Sequence, residues 1–270
     1  MGSQSLLLGY CRNFVYDNNY LRMNTIKTRR SIRKYADREV SADLLARLLE
    51  DAERTQTMGN LQLYSVVVTR DEAMKKRLAP AHFNQPMVTG APVVLTFCAD
   101  FHRTTVWAEN RQAQPGYANF LSFVNAMTDA LLYCQTFCNL AEEEGLGCCF
   151  LGTTVYQPQL IADVLGLPSL VAPVATITLG WPAENPPLTD RLPLRGIVHE
   201  ETYADYSSTA IDDIYAEKEA LPESEEFVRV NGKQTLAQVF TDCRYTKHDN
   251  EMMSAGFLEM LRRQGFLPEQ

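Results

Sequence analysis

Residues 29–35 read Arg-Arg-Ser-Ile-Arg-Lys-Tyr (RRSIRKY), four positive charges falling between Arg29 and Lys34. The chain that carries them has 270 residues and a formal net charge of −8. A basic knot this dense in an acidic chain needs a local reason. Surface ion pairs with Asp37, Glu39 and Asp43 are one candidate, although each such pair contributes only about 0–1 kcal/mol. A bound phosphate is the other. Arg29, Arg30 and Arg33 offer forked N–H donors whose plane matches phosphate oxygens, and Ser31 adds a hydroxyl. The glycine patterns GxGxxG and GxxxxGK[ST], which cradle dinucleotides and triphosphates, do not occur. The phosphate therefore belongs to another kind of ligand.

Downstream of the knot, Ser41 is placed to cap a helix from Ala42 to about Arg54, in which Leu44, Leu45, Leu48, Leu49 and Ala52 form one apolar stripe. Tyr64–Thr69 (YSVVVT) is short and β-branched and predicts a strand, followed by a helix over Asp71–Leu78. Pro92–Ala99 and Val171–Leu179 read as buried strands. The longest element predicted is a helix from about Ala118 to Glu144, stopped by Gly145. It is apolar on nearly every side, so it must be enclosed in a core or between subunits. Pro158 suits the first turn of a helix to Leu165, and a last helix is predicted over about Asn250–Gln264. After Trp181 the chain turns proline-rich (PAENPPLTDRLPLRG) and then alternates acidic stretches with short helical patterns. Helices interleaved with strands give an α+β or α/β class, with an irregular C-terminal excursion over 181–270.

Composition narrows the functional classes. Apolar residues make up 46% and charged residues 21%, as in an ordinary soluble globular protein. Net negative charge argues against nucleic acid or an anionic membrane as partner, because both require an extended basic face. Residues 1–22 contain only the short apolar run Leu6–Leu8 and read as an appendage to a domain spanning 23–270. Seven cysteines without a secretion signal read as reduced thiols of a cytoplasmic protein. Cys134, Cys138, Cys148 and Cys149 are spaced poorly for a metal and read as small buried side chains, so no metal site is expected. The histidines form no constellation, and no catalytic nucleophile, acid or base is assigned.

The knot and four later stretches, taken in order, resemble the nitroreductase family. These stretches are RTQTMGNLQLYSVVV at 54–68, NQPMVTGAPVVLTFCADF at 84–101, EEGLGCCFLGTT at 143–154 and LGWPAENPPLTDRLP at 179–193. The match lies nearest the larger branch, that of the oxygen-insensitive nitroreductases and NADPH–flavin reductases. The resemblance implies a central, mostly antiparallel sheet flanked by helices. It also implies an FMN cofactor, and a homodimer with its active sites at the subunit interface and the C-terminal excursion wrapping the partner. On this resemblance Arg29, Arg30, Ser31 and Arg33 serve the phosphate, ribityl chain and ring edge of FMN. Thr57, Asn60 and Gln62 form a second polar segment, Gln85 hydrogen-bonds the flavin, Phe150 and Gly152 lie against the ring, and Arg191 stands near the phosphate.

The implied reaction is ping-pong hydride transfer from NAD(P)H, with NADPH favoured, to nitroaromatics, quinones or free flavins. The alternative is a flavin sensor or storage protein without turnover. Arg229 and Lys233, flanking an Asn231-Gly232 turn, are the candidates for the extra phosphate of NADPH. Two departures stand out. Thr153–Tyr156 replace a glycine pair and an arginine-asparagine, and Thr189 replaces a basic residue two positions before Arg191.

Overall fold

The computed structural model describes residues 25–267, so the proposed appendage over 1–22 lies outside the described residues. A one-turn helix α1 (Thr25–Thr28) leads into the basic segment. Helix α2 (Ala42–Ala52) follows, and the Ser41 hydroxyl accepts from Leu44 N as its N-cap. Strand β1 (Tyr64–Thr69) and helix α3 (Glu72–Leu78, capped by Asp71) occur as expected. Next come α4 (Pro86–Gly90), β2 (Val93–Asp100) and α5 (His102–Glu109). The long helix is α6 (Phe120–Glu143), whose Asn119 cap accepts from Ser122 N. The second half holds β3 (Gly147–Phe150), α7 (Pro158–Leu165) and β4 (Val171–Gly180). Helices α8 (Ser208–Glu219), α9 (Pro222–Val230), α10 (Leu236–Val239) and α11 (Lys247–Arg263) complete it.

The four strands form one antiparallel sheet in the order β1-β2-β4-β3. Every residue of β2 and β4 is buried, which is why both read as continuous apolar runs rather than alternating ones. Strand alternation sends Cys148 into the main core and Cys149 into a second cluster. The main core packs α6 against Val93, Leu95, Phe97 and Ala99 of β2. The second gathers Leu78, Val88, Leu151 and Ile161. The chain is thus an α+β sheet with helices on both faces. The expectation that this helix is enclosed in a core or between subunits is met within one chain on one side only. One side of α6 is core, while Phe120 and Leu121 are 51% and 68% exposed and Leu131 and Leu132 are also exposed. Among the described residues no helix is long and apolar enough to cross a membrane.

The edge of this sheet positions the basic segment. Ser31 forms a parallel bridge to Cys148, and Ile32 N donates to Cys148 O at 3.0 Å. Further on, Tyr35 bridges Pro182, and its hydroxyl donates to Ile32 O at 2.7 Å. The approach is close because residue 147 is glycine. A Cβ there would lie 2.6–2.9 Å from the side chain of Ile32. Gly147→Ala is expected to destabilise the protein by about 1–3 kcal/mol through overpacking, lowering Tm by several degrees. The second change Ile32→Val should return part of the loss. Wild-type stability of Gly147→Ala in denaturant unfolding would show that the contact is not tight.

Candidate flavin site

The segment held on β3 brings Arg29 and Ser31 to a cleft of about 630 Å³ between α6 and β3. Arg29, Ser31 and Arg191 line it, together with Leu131, Cys134, Gln135 and Cys138 of α6 and Cys148 and Phe150 of β3. Three polar donors of an acidic chain therefore converge on one space walled by apolar side chains and thiols. This is the composition that suits a compact anion attached to a flat apolar body. Cys134, Cys138 and Cys148 are 3%, 7% and 1% exposed and act as small hydrophobic wall residues, as the sequence suggested. Among the described residues no cluster fit to hold a metal ion is present.

The four knot residues have different tasks. Arg29 reaches the cleft and also forms an ion pair with Glu142 at 3.4 Å. Arg30 does not line the cleft. Its Nε donates to Pro186 O at 2.6 Å and its Nη1 to Thr28 O at 2.7 Å, so its side chain ties the basic segment to the loop after β4. Arg33 is exposed, and its guanidinium makes no hydrogen bond or ion pair with the described residues; its backbone N–H donates to Glu184 Oε1 at 2.6 Å. The Glu184 pKa is lowered from its ordinary value, chiefly by that bond from Arg33 N. Ion pairing with Asp37, Glu39 or Asp43, the other explanation for the knot, is not found among the described residues. The carboxylates that meet it are Glu142 and Glu184.

Arg191 reaches the cleft from the proline-rich loop. Its Nη1 donates to Thr189 Oγ1 at 2.8 Å and Asp190 O at 2.7 Å. Thr189, where a second cation was expected, instead supplies an acceptor that orients the one remaining.

Thr57, Asn60 and Gln62 lie outside the cleft. They sit in a turn before β1, with Gly59, Asn60 and Gln62 at positive φ of 58°, 56° and 50°. Glycine and asparagine tolerate this region, whereas at glutamine it costs on the order of 1 kcal/mol. Two contacts hold the turn in place. Asp129 of α6, fully buried, accepts from Met58 N at 2.9 Å and Leu63 N at 3.2 Å, and Arg103 donates to Gln62 O. Asn60 and Gln62 are thus exposed on a rigid turn and hydrogen-bonded to each other at 2.9 Å. Sequence reasoning missed Asp129. Its only signal was a carboxylate in the apolar stretch of α6 before its acidic end.

Gln85 is likewise outside the cleft walls, as the N-cap residue of α4 behind Phe83 and Asn84, both at positive φ. The turn carrying it is joined to the Gly152 loop by His82, which is fully buried, with Nδ1 2.9 Å from Thr153 Oγ1. Burial pushes the His82 pKa down to about 4, so the imidazole is neutral at ordinary pH. Of the departures after Gly152, Thr153 therefore packs as this buried link, and Tyr156 lies with its ring 6.3 Å from that of Phe83. Gly152 itself is exposed, and a Cβ there would meet nothing within 4 Å. No residue of this chain requires glycine at that position. The open space beside it, next to the half-exposed ring of Phe150, is what a flat ring laid on the loop would use.

Arg229 and Lys233 are placed differently from the expectation. Arg229 ends α9 and donates to both oxygens of Glu226 at 2.7 and 2.5 Å, while Lys233 lies 3.6 Å from Asp242. Each cation already has its own carboxylate and neither lines the cleft. The excursion does not present them as an unpaired pair of charges.

With this geometry established, comparison with known proteins is specific. The family model described as "Nitroreductase family" matches residues 26–181. An FMN reductase [NAD(P)H] of Bacillus subtilis is 29% identical over 92% of this chain and 98% of its own. An oxygen-insensitive NADPH nitroreductase of Salmonella typhimurium is 33% identical over 64% of this chain and 71% of its own. Among solved structures, one from Bacteroides fragilis is 59% identical with a TM-score of 0.90, covering 91% of this chain and all of that one. A nitroreductase from Bacillus subtilis is 25% identical with a TM-score of 0.79 over 91% and 98% of the two chains. The family model spans more than half of the chain and the solved structures share its overall fold, so the chain belongs to the nitroreductase family.

Proposed function

We propose that this protein is an FMN-dependent oxidoreductase that takes electrons from NAD(P)H, with NADPH favoured, and passes them to small electron-poor acceptors such as nitroaromatics, quinones or free flavins. The observation that carries the reading is the convergence of Arg29, Ser31 and Arg191 at one cleft in a chain of net charge −8. When bound, FMN supplies a ring that accepts and donates hydride in turn. Arg29, Ser31 and Arg191 bind its phosphate, and the apolar walls from α6 and β3 exclude water beside it. Phe150 and the open Gly152 loop orient the ring. Arg33, whose guanidinium is unengaged, is the cation available to a ring edge that becomes negative on reduction. The phosphate site for NADPH is not assigned to Arg229 and Lys233, since both are neutralised locally.

The site is incomplete in one chain, which supports a homodimer. Asn60 and Gln62 are exposed, and Thr57 half-buried, on a turn outside the cleft, and a partner's copy of that turn would bring polar groups to the ring. Phe120, Leu121 and Leu132 on α6 provide an apolar face for the association. Residues 23–270 then act as one domain, whose excursion over 181–270 wraps the partner.

Three outcomes are expected. Arg29→Ala and Arg191→Ala should each weaken FMN binding roughly tenfold to a hundredfold, the loss of a charge-assisted bond of about 1.5–3 kcal/mol; unchanged FMN content in the double variant on gel filtration would place the phosphate elsewhere. NADPH added anaerobically should bleach the flavin absorbance within seconds, and an acceptor should restore it. A flavin carrier without turnover would keep its colour. Light scattering at micromolar protein should give twice the 30.5 kDa chain mass, because an interface large enough to complete two sites does not dissociate there.

A further inference from the structure

Arg29 lines two cavities. One is the cofactor cleft; the other is a smaller cavity of about 210 Å³ that it shares with Arg30, Glu142, Gly145 and Glu184. Glu142, on the last turn of α6, has its Oε1 3.4 Å from Arg29 Nε, with the two side chains 10% and 26% exposed. That same oxygen is buried and accepts no hydrogen bond. Buried carboxylates are ordinarily compensated by several donors, whereas among the described residues this oxygen has one paired cation, 3.4 Å away. Burial therefore pushes the Glu142 pKa up to about 7; Arg29 opposes the rise and Cys138 adds to it. The groups facing this carboxylate are few. They are Cys138 on its own helix, Cys148 from β3, Arg29 and Arg30 from the basic segment, and Glu184 from the loop after β4.

We propose that Glu142 is a positioning residue that competes with the cofactor phosphate for Arg29, so that loading of FMN is coupled to uptake of a proton by this carboxylate. The inference rests on the reading of the cleft as the FMN site. A phosphate beside Arg29 engages the guanidinium and adds negative charge near Glu142. Both effects disfavour the carboxylate, so its pKa is higher in the loaded protein than in the unloaded one. Below about pH 7 Glu142 is already neutral and loading draws no proton. Between that value and the higher pKa of the loaded protein, loading draws a proton onto Glu142 and affinity falls as pH rises, levelling off above the loaded pKa after a total loss of about tenfold for each unit that the pKa moves. The ligand's own second phosphate ionisation, near pH 6, acts in the opposite sense, tightening binding as pH rises. Weakening above pH 7 therefore reports on the protein.

The test is to dilute the holoprotein between pH 6.5 and 8.5 and read the fluorescence of released FMN. In the wild type the Kd should rise about two- to fourfold from pH 7 to 8.5, as expected for a pKa displaced upward from about 7 by half a unit to one unit. In Glu142→Gln the profile should be flat over the same range. Protein loaded with riboflavin, which lacks the phosphate, should also be flat, and this comparison carries the test if the variant does not fold. The proposal is overturned by a flat wild-type profile, by an undiminished slope in Glu142→Gln, or by the same slope with riboflavin. A wild type that fails to retain FMN at pH 7 would instead refute the assignment of the cleft.

Discussion

The site depends on one contact, the seating of Ile32 on Gly147 at the edge of the sheet. Because glycine has no Cβ, the basic segment comes close enough for Ile32 N to bond Cys148 O. That single register fixes which side chains face where. Ile32 enters the interior, 6% exposed, while Ser31 and Arg29 are delivered to the cleft. A flexible loop carrying the same charges would lose side-chain and backbone entropy on meeting a phosphate, on the order of 1–2 kcal/mol per residue ordered. Here the bond from Ile32 N to Cys148 O and the seat of Ile32 on Gly147 hold the segment through contacts within the protein itself. Tyr35 strengthens it by donating to Ile32 O from within the same segment.

Charge distribution then separates the duties of otherwise identical arginines. Four cations within six residues would repel one another, and the chain relieves this selectively. Arg30 is engaged by carbonyls, with no net neutralisation. Glu184 bonds the backbone at Arg33 and Lys34 rather than their side chains, so it steadies the segment and leaves both charges in place. Only Arg29 meets a carboxylate, and that carboxylate is the poorly solvated Glu142. The positive potential at the cleft mouth is therefore retained. At Arg229 and Lys233 the reverse holds, since Glu226 and Asp242 lie within ion-pair distance of each.

Much of the fold was legible in the sequence because the relevant signals are local. The β-branched run Tyr64–Thr69, the proline at the start of Pro158–Leu165 and the Ser41 cap each announce their element within a few residues. Strand β3 was not legible as a strand: its four residues Gly-Cys-Cys-Phe have little β propensity and are held by pairing with β4, a long-range effect. Helix α9 was not placed individually, because its acidic first turn reads as one of the acidic stretches of the excursion; Glu223 and Glu225 in fact favour the helix N-terminus. At the site, residue types were informative and partners were not. The sequence pattern named Arg29, Ser31, Phe150 and Arg191, which the fold brings to one cleft. It could not distinguish Arg29 from Arg30, because their difference lies in contacts with residues more than a hundred positions away.

The two polar groups of the site are constrained in opposite ways, and this bears on how the protein assembles. The cationic end is built from one chain and is rigid through the sheet edge. The polar turn over Thr57–Gln62 is equally rigid, held by the buried Asp129 and by three consecutive or near-consecutive residues at positive φ, yet it carries Asn60 and Gln62 to the surface. A monomer gains nothing evident from spending conformational strain on an exposed turn. The strain has a use if the turn must keep its shape until it meets a second molecule. α6 joins the two features, because Asp129 anchors the turn and Leu131, two residues later, lines the cleft. The helix that organises the core is then also the element that sets the turn and the cleft of one chain in fixed relation, as the proposed homodimer with shared sites would require.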